Sequence, residues 1–366
     1  YYHQRGFERY RCQMTKQIET YIEENLSGEA KRTALELVEF LRDNELTFYK
    51  DTCDCWKDKI YYWVKFGDEC VCFIAIKDPD EPDNLWTIWS DDSSAYEDAF
   101  VSDEIKNVGW QYVDHCGNCG SCDGGKEKNI FGKSFPRVCG CTFRIDNATQ
   151  EDLPFLKVLV ILRVEELIKQ ETIKHYDLLI DTNNDPVHDP KPLRDYMDKW
   201  DGQAFIDSME LDKNKSVLEI GVGTGRLAVR VAPLCGQFCG IDISPKTIER
   251  AKENLAEYRN VDLICADFLS YKFDRKFDVI YSSLTFMHIE EKQTAINKVA
   301  ALLKDGGKFV LSIDKNQSEY IDTGTRKIKI YSDNVEKMAE YIRAAGFTIL
   351  NRHDTEFATI FVVQKG

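Results

Sequence analysis

Apolar positions along the chain change their period several times, and each change predicts a different kind of element. Residues 15–46 carry helical spacing in two blocks. In the second, GEAKRTALELVEFLRDNEL, the residues Ala34, Leu35, Val38 and Leu41 fall on one face. From Tyr49 the period shortens to two: WKDKIYYWVKFGDECVCFIAIKD predicts a hairpin turning at Gly67-Asp68, and LWTIWS continues in the same style. The stretches DPDEPDN and SDDSSAYED predict loops at its edge. Residues 151–175 return to a helix with no internal glycine, and beyond 216 short apolar runs alternate with amphipathic helices. The expected divisions are a leader at 1–13 ahead of a natural start at Met14, an α+β domain at 14–150, a helical linker and lid segment at 151–215, and an α/β domain at 216–366. With 366 residues, 43% of them hydrophobic, the chain can bury two cores.

The most informative stretch is VLEIGVGTGRL at 217–227. A short apolar strand ends at Gly221, and Gly221, Gly223 and Gly225 let the backbone bend sharply and admit a ligand almost to van der Waals contact. LAVRVAPL after Arg226 predicts an amphipathic helix whose amino end would suit a ligand carboxylate. The spacing is G-x-G-x-G, whereas a dinucleotide fingerprint would be G-x-G-x-x-G. About 20 residues on, a strand ends at Asp242, where a carboxylate can accept both hydroxyls of a ribose, and Ser244-Pro245 opens a helix. VDLICADFLSY, FDVIYSS and the helix, turn and strand within LTFMHIEEKQTAINKVAALLKDGGKFVLSI complete an ordered series, followed by FTILNRHD and FATIFVVQ.

G-x-G-x-G preceded by Glu219, with this series behind it, resembles the class I S-adenosylmethionine-dependent methyltransferases over residues 216–366. The resemblance implies a doubly wound, mixed sheet of seven strands in the order 3-2-1-4-5-7-6, its last strand antiparallel. It also implies S-adenosylmethionine as cofactor, contacted by Glu219, Gly221, Gly223, Gly225, Asp242 and Ile243, then Asp267 and Phe268 at the adenine, and Ser282. In that family the segment before the first strand folds over the cofactor, which makes Tyr176, Tyr196 and Trp200 lid candidates.

A methyl sulfonium is already electrophilic, so such a protein mainly holds a nucleophile in line and excludes water. The sequence therefore specifies the donor better than the acceptor. Tyr281-Ser282-Ser283 ends the fourth strand without the Asn/Asp-Pro-Pro-aromatic tetrad of enzymes acting on base amines, and LTFMHI resembles the small-molecule group. The candidate catalytic residues are His288, Ser283 and Tyr196; His288 reads either as a general base titrating near pH 6.5 or as a residue that caps or packs the start of the helix IEEKQTAINKVAALL. The alternative is a non-catalytic sensor of S-adenosylmethionine, metal or redox state.

Charge narrows the partners. The net charge is −15, and residues 1–170 hold 21 basic against 32 acidic residues. Nucleic acid is not an expected partner; a small-molecule acceptor is, with a basic protein as second choice. No secretory signal or stretch of 18 apolar residues is present in the sequence, which predicts a soluble, cytoplasmic protein outside the membrane.

Thirteen cysteines in such a chain favour free thiols or metal ligands over a disulfide framework. HCGNCGSCDGG at 115–125 and CGC at 139–141 predict a zinc site: Cys116, Cys119 and Cys122, completed by Cys139 or Cys141, with His115 as alternate. An iron–sulfur cluster, unmetallated thiols and a redox pair remain open readings. Cys70 and Cys72, on one face of a strand, read as core.

Overall fold

The computed structural model describes residues 17–52, 59–117, 124–324 and 326–366. The chain forms two units, Tyr1–Leu167 and Ile168–Gly366, so the segment 168–215 belongs to the second. The helix Leu153–Asp181 begins in unit 1 and ends in unit 2.

Unit 1 opens with the helices Ile18–Asn25 and Gly28–Asp43. The second buries Ala34, Leu37, Val38 and Leu41; Leu37 takes the inward place expected of Leu35, completing an i, i+3, i+4, i+7 stripe. Seven antiparallel strands follow: β1 (Thr47–Lys50), β2 (Ile60–Phe66), β3 (Glu69–Ile76), β4 (Trp86–Ser90), β5 (Val113–His115), β6 (Lys126–Ile130) and β7 (Lys133–Asp146). They are ordered β1-β2-β3-β4-β7-β5, with β6 pairing β7. Strand β7 contains Cys139 and Cys141, so CGC is strand, not a turn of the kind a zinc knuckle uses. Pro136 and Gly140 conceal this strand in the sequence, and Arg137 at φ 53° marks a local break in its extended backbone.

Unit 2 is built on a second seven-stranded sheet. Its strands are β8 (Ser216–Ile220), β9 (Gln237–Asp242), β10 (Val261–Cys265), β11 (Phe277–Ser283), β12 (Leu303–Asp314), β15 (Phe347–Asp354) and β16 (Ala358–Lys365). A separate two-stranded hairpin, β13 (Tyr320–Asp322) with β14 (Lys327–Lys329), lies between β12 and β15 in sequence. The order β10-β9-β8-β11-β12-β16-β15 is 3-2-1-4-5-7-6, with β16 antiparallel to both neighbours. Alternation feeds two apolar layers: Leu218, Ile220 and Ile280 enter one, and Val217, Val279 and Tyr281 the other. The crossover helices Pro245–Asn254 and Lys292–Leu302, with Val335–Ala344, supply the outer faces.

The helix expected after Arg226 is short. Only Ala228–Val231 is α-helical, and Ala232–Leu234 tightens into a 3₁₀ turn at Pro233. A single turn carries little macrodipole, so the expected anion site at its amino end is not the feature that organises this region.

Candidate functional site

The site is assembled where β8, β9 and β11 end, as parallel sheets place their ligands. Gly221, Gly223 and Gly225 all have positive φ, at 76°, 56° and 99°. They do different jobs. A Cβ on Gly221 would fall 1.9 Å from Thr285 Oγ1, so this glycine is required by the loop that follows β11. A Cβ on Gly223 would meet no atom within 4 Å, so its bare face opens on free space. The Gly223 amide donates to Asp242 Oδ2 at 3.0 Å, and the Ser244 amide donates to Oδ1 at 3.0 Å. Burial pushes the Asp242 carboxyl up from its ordinary value while these backbone donors pull it down. The same contacts join the glycine turn to the end of β9. Ile243 is half-buried beside it.

The remaining expected contacts spread over three neighbourhoods. Asp267 accepts the Leu269 amide at 2.8 Å and pairs with Lys169 from the long helix. Phe268 is buried in one apolar layer with the Lys298 ammonium 5.4 Å from its ring, so it packs the floor of this end of the sheet. Ser282 is fully buried, and its hydroxyl donates to Ile220 O at 2.9 Å, a bond inside the sheet. Glu219 is 3% exposed and accepts the Tyr281 hydroxyl at 2.6 Å, its register partner on β11. Burial pushes the Glu219 carboxyl up to about 8, above what the Tyr281 bond and the Arg226 charge offset, so it is neutral at pH 7.

Several residues that sequence reasoning did not single out complete the site, and most come from the segment before β8. Asp201, its side chain fully buried, accepts Ser283 Oγ at 2.8 Å and both amino groups of Arg226, Nη1 at 3.1 Å. Asp177 accepts Ser244 Oγ at 2.7 Å, and Asp185 pairs with Arg250 and accepts from Asn254. Asp201 and Asp177 fasten the segment to loops at the sheet's ligand end, and Asp185 fastens it to the helix Pro245–Asn254. The signals available were modest: Asp201-Gly202 as a turn, and Arg226 directly after the third glycine.

The three candidate catalytic residues do not converge. Tyr196 is 47% exposed and packs on Trp200 and Phe357, with centroids 5.6 and 5.5 Å away. Among the described residues, no hydrogen bond or ring contact joins it to Ser283 or His288. Ser283 is held by Asp201. His288, in the 3₁₀ turn Phe286–His288, has Nε2 2.8 Å from the Tyr176 hydroxyl. Burial pushes its imidazole down to about 4, assisted by the neighbouring His175 and Lys292. Such a value suits the packing reading of His288 better than a base titrating near 6.5; desolvation outweighs any gain from the tyrosine.

Of the cysteines, Cys119 and Cys122 lie outside the described residues. Cys116 is buried, its amide donating to Arg137 O at 2.8 Å, and Cys139 and Cys141 are part-exposed on β7. Burial pushes the Cys141 thiol up to about 12 and raises Cys139 as well. No group of three metal-binding side chains is found among the described residues. Nor is any helix there long and apolar enough to cross a membrane.

Residues 217–307, from β8 into the first residues of β12, match the family model for the methyltransferase domain. The match lies within unit 2 and covers about a quarter of the chain. This is the kind of domain that the sequence resembles. The chain is 32% identical over 110 residues to malonyl-acyl-carrier-protein O-methyltransferase 1 of Ilyobacter polytropus, covering 30% of this chain and 41% of that protein. It thus spans about two fifths of that relative's length. It is 29% identical over 170 residues to a ubiquinone biosynthesis O-methyltransferase of Coxiella burnetii, covering 44% of this chain and 69% of the relative. Among solved structures it is similar to an S-adenosylmethionine-dependent methyltransferase from Clostridium acetobutylicum, at 17% identity, 54% coverage of this chain and 98% of that one, with a TM-score of 0.40. The matched residues include β8, β9 and β11, whose ends form the site.

Proposed function

We propose that the protein transfers a methyl group from S-adenosylmethionine to a small-molecule acceptor, releasing S-adenosylhomocysteine. One observation carries this reading: the bare face of Gly223 opens on free space directly beside Asp242, whose carboxylate its own amide holds. The residues fit the donor. Gly221, Gly223 and Gly225 would admit it against the backbone, Asp242 would accept the ribose hydroxyls, and Asp267 would face the base. When bound, S-adenosylmethionine supplies a methyl group on a sulfonium. The chain itself orients and dries the site: Asp201 fixes Arg226 and Ser283, and the carboxylates of the preceding segment tie it down over the loops.

Incubation with S-adenosylmethionine and a metabolite extract should yield S-adenosylhomocysteine above a no-extract control. Tight donor binding without turnover in any extract would replace the enzyme reading with a sensor. We also propose that Cys116, Cys119 and Cys122, with Cys139 or Cys141, hold zinc in unit 1. The pairing of the Cys116 amide with Arg137, two residues before Cys139, supports it.

A further inference from the structure

The side-chain hydroxyls around the ligand end of β11 give their protons to the chain itself. Tyr281 donates to Glu219 at 2.6 Å, Ser282 to Ile220 O at 2.9 Å, Ser283 to Asp201 Oδ2 at 2.8 Å and Thr285 to Ser283 O at 3.1 Å. Ser312, the register partner of Ser283 on β12, donates to Trp200 O. A hydroxyl has one proton and two lone pairs, so each of these oxygens keeps acceptor capacity and no donor. Tyr281, Ser282 and Ser312 are buried, whereas Ser283 and Thr285 are part-exposed. Ser282 pairs with Ile220, which sets Ser283 level with Gly221, and Thr285 stands where a Gly221 Cβ would be. Ser283 thus lies beside the glycine turn.

The direction of the Ser283 bond is fixed by its partner. The fully buried Asp201 side chain takes both amino groups of Arg226, Nη1 at 3.1 Å, and the Gly202 amide at 2.7 Å. An ion-paired carboxylate accepts and cannot donate, so the Ser283 proton points at it. Among the described residues, no donor reaches Ser283 Oγ in return. A ligand that complements Ser283 therefore carries an N–H or an O–H.

The choice between nitrogen and oxygen turns on the proton. A neutral hydroxyl must give up its proton as it is methylated, whereas an amine reacts through its lone pair and can lose a proton afterwards. Among the described residues, the groups at this end that could take a proton are engaged. His288 Nε2 faces the Tyr176 hydroxyl at 2.8 Å, and burial pushes its imidazole down to about 4. Glu219, pushed up to about 8 by burial, already holds its proton at pH 7. Asp201 is tied to Arg226, Asp242 to two backbone amides, Asp333 to Lys292 at 2.8 Å, and Asp314 to the Trp200 indole at 3.1 Å and the Asn316 amide at 2.7 Å. A carboxylate is a weak base towards a hydroxyl, and such contacts favour its charged form further.

We infer that Ser283, oriented by Asp201, accepts a hydrogen bond from the N–H of a neutral amine, and that this amine nitrogen is the methyl acceptor. No base is required. The nitrogen lone pair forms the new N–C bond, the C–S bond breaks with its electron pair going to sulfur, and the positive charge passes to the nitrogen, whose ammonium product sheds a proton to water. With its N–H on Ser283, the nitrogen keeps its lone pair free on another face. The assignment rests on the methyl-transfer reading, and Asp201 is a positioning residue because it acts through Ser283.

Two measurements on the full chain test it. Aniline and toluene, matched in shape, are titrated calorimetrically into protein saturated with S-adenosylhomocysteine. Aniline should lose at least fivefold in affinity on Ser283→Ala and recover with Ser283→Thr, while toluene and S-adenosylhomocysteine itself change less than twofold. Asp201→Asn, whose amide can donate to Ser283 Oγ, should weaken aniline similarly. S-adenosylmethionine carrying a carbon-13 methyl group is then supplied with a metabolite extract, and the shift of the transferred methyl separates N-methyl from O-methyl products. N-methyl products are expected, and they should vanish when the amines of the extract are acylated beforehand. O-methyl products, transfer that survives acylation, or aniline that fails to bind or ignores Ser283→Ala would overturn the inference. Absence of transfer to any component, with aniline affinity still dependent on Ser283, would instead overturn the methyl-transfer reading and leave the N–H site standing.

Discussion

Gly221 and Gly223 stand two residues apart in one turn and should fail in opposite ways. Gly221→Ala places a methyl group 1.9 Å from Thr285 Oγ1, so the loop after β11 must move and unit 2 should lose stability by several kcal/mol. Gly223→Ala meets nothing; its cost is the left-handed backbone, roughly 1–2 kcal/mol. It should fold yet lose S-adenosylhomocysteine, because its methyl group occupies the open face. Thermal melts paired with calorimetry separate the two, and equal melting points would contradict the contrast. Asp242→Ala should weaken S-adenosylhomocysteine binding by roughly 1–3 kcal/mol, about tenfold to a hundredfold. Part of that loss is indirect, since Asp242 also fixes the Gly223 and Ser244 amides. Unchanged affinity would remove Asp242 from the ribose role.

Elements hold the pH response. The imidazole of His288, pushed down to about 4 in the folded state, binds fewer protons than its unfolded counterpart between about pH 6.5 and 4. Folding stability from this group is therefore full above 6.5 and falls as pH drops through that interval, by about 3 kcal/mol at about 1.4 kcal/mol per unit. Lys292 and Asp333 face the same 3₁₀ turn as a matched pair. Denaturant midpoints at pH 7 and pH 4.5 should differ more for the parent than for His288→Asn; identical differences would place the acid sensitivity elsewhere. The elements of unit 2 were legible because glycine spacing, apolar strands and crossover helices repeat a local rule. The antiparallel strands β5 to β7 were not, since proline, glycine and a positive φ interrupt β7 where pairing with three partners sustains it. Asp201 and Asp177 were equally hidden as site residues: each acts on a residue from 25 to 67 positions away, and no local period encodes such a pairing.

For the whole molecule, zinc in unit 1 and donor binding in unit 2 should prove independent. Freshly purified, reduced protein should contain about one zinc per chain by elemental analysis, and Cys116→Ser with Cys139→Ser should lose it. Absence of metal would leave the cysteines of unit 1 as packed thiols, a role that the raised Cys139 and Cys141 values already suit. S-adenosylhomocysteine binding should be indifferent to either result.

The position of β16 has a consequence for biosynthesis. It is the last strand of unit 2 to leave the ribosome, yet it lies between β12 and β15, with Ile360, Phe361 and Val363 fully buried. Until residues 358–365 have emerged, the apolar edge of β12 has no neighbour and the nascent sheet ends in an open ladder. Closure of this sheet thus waits on its last-made strand, and chains that stall before residue 358 present a sticky strand edge of the kind that chaperones bind and aggregates recruit.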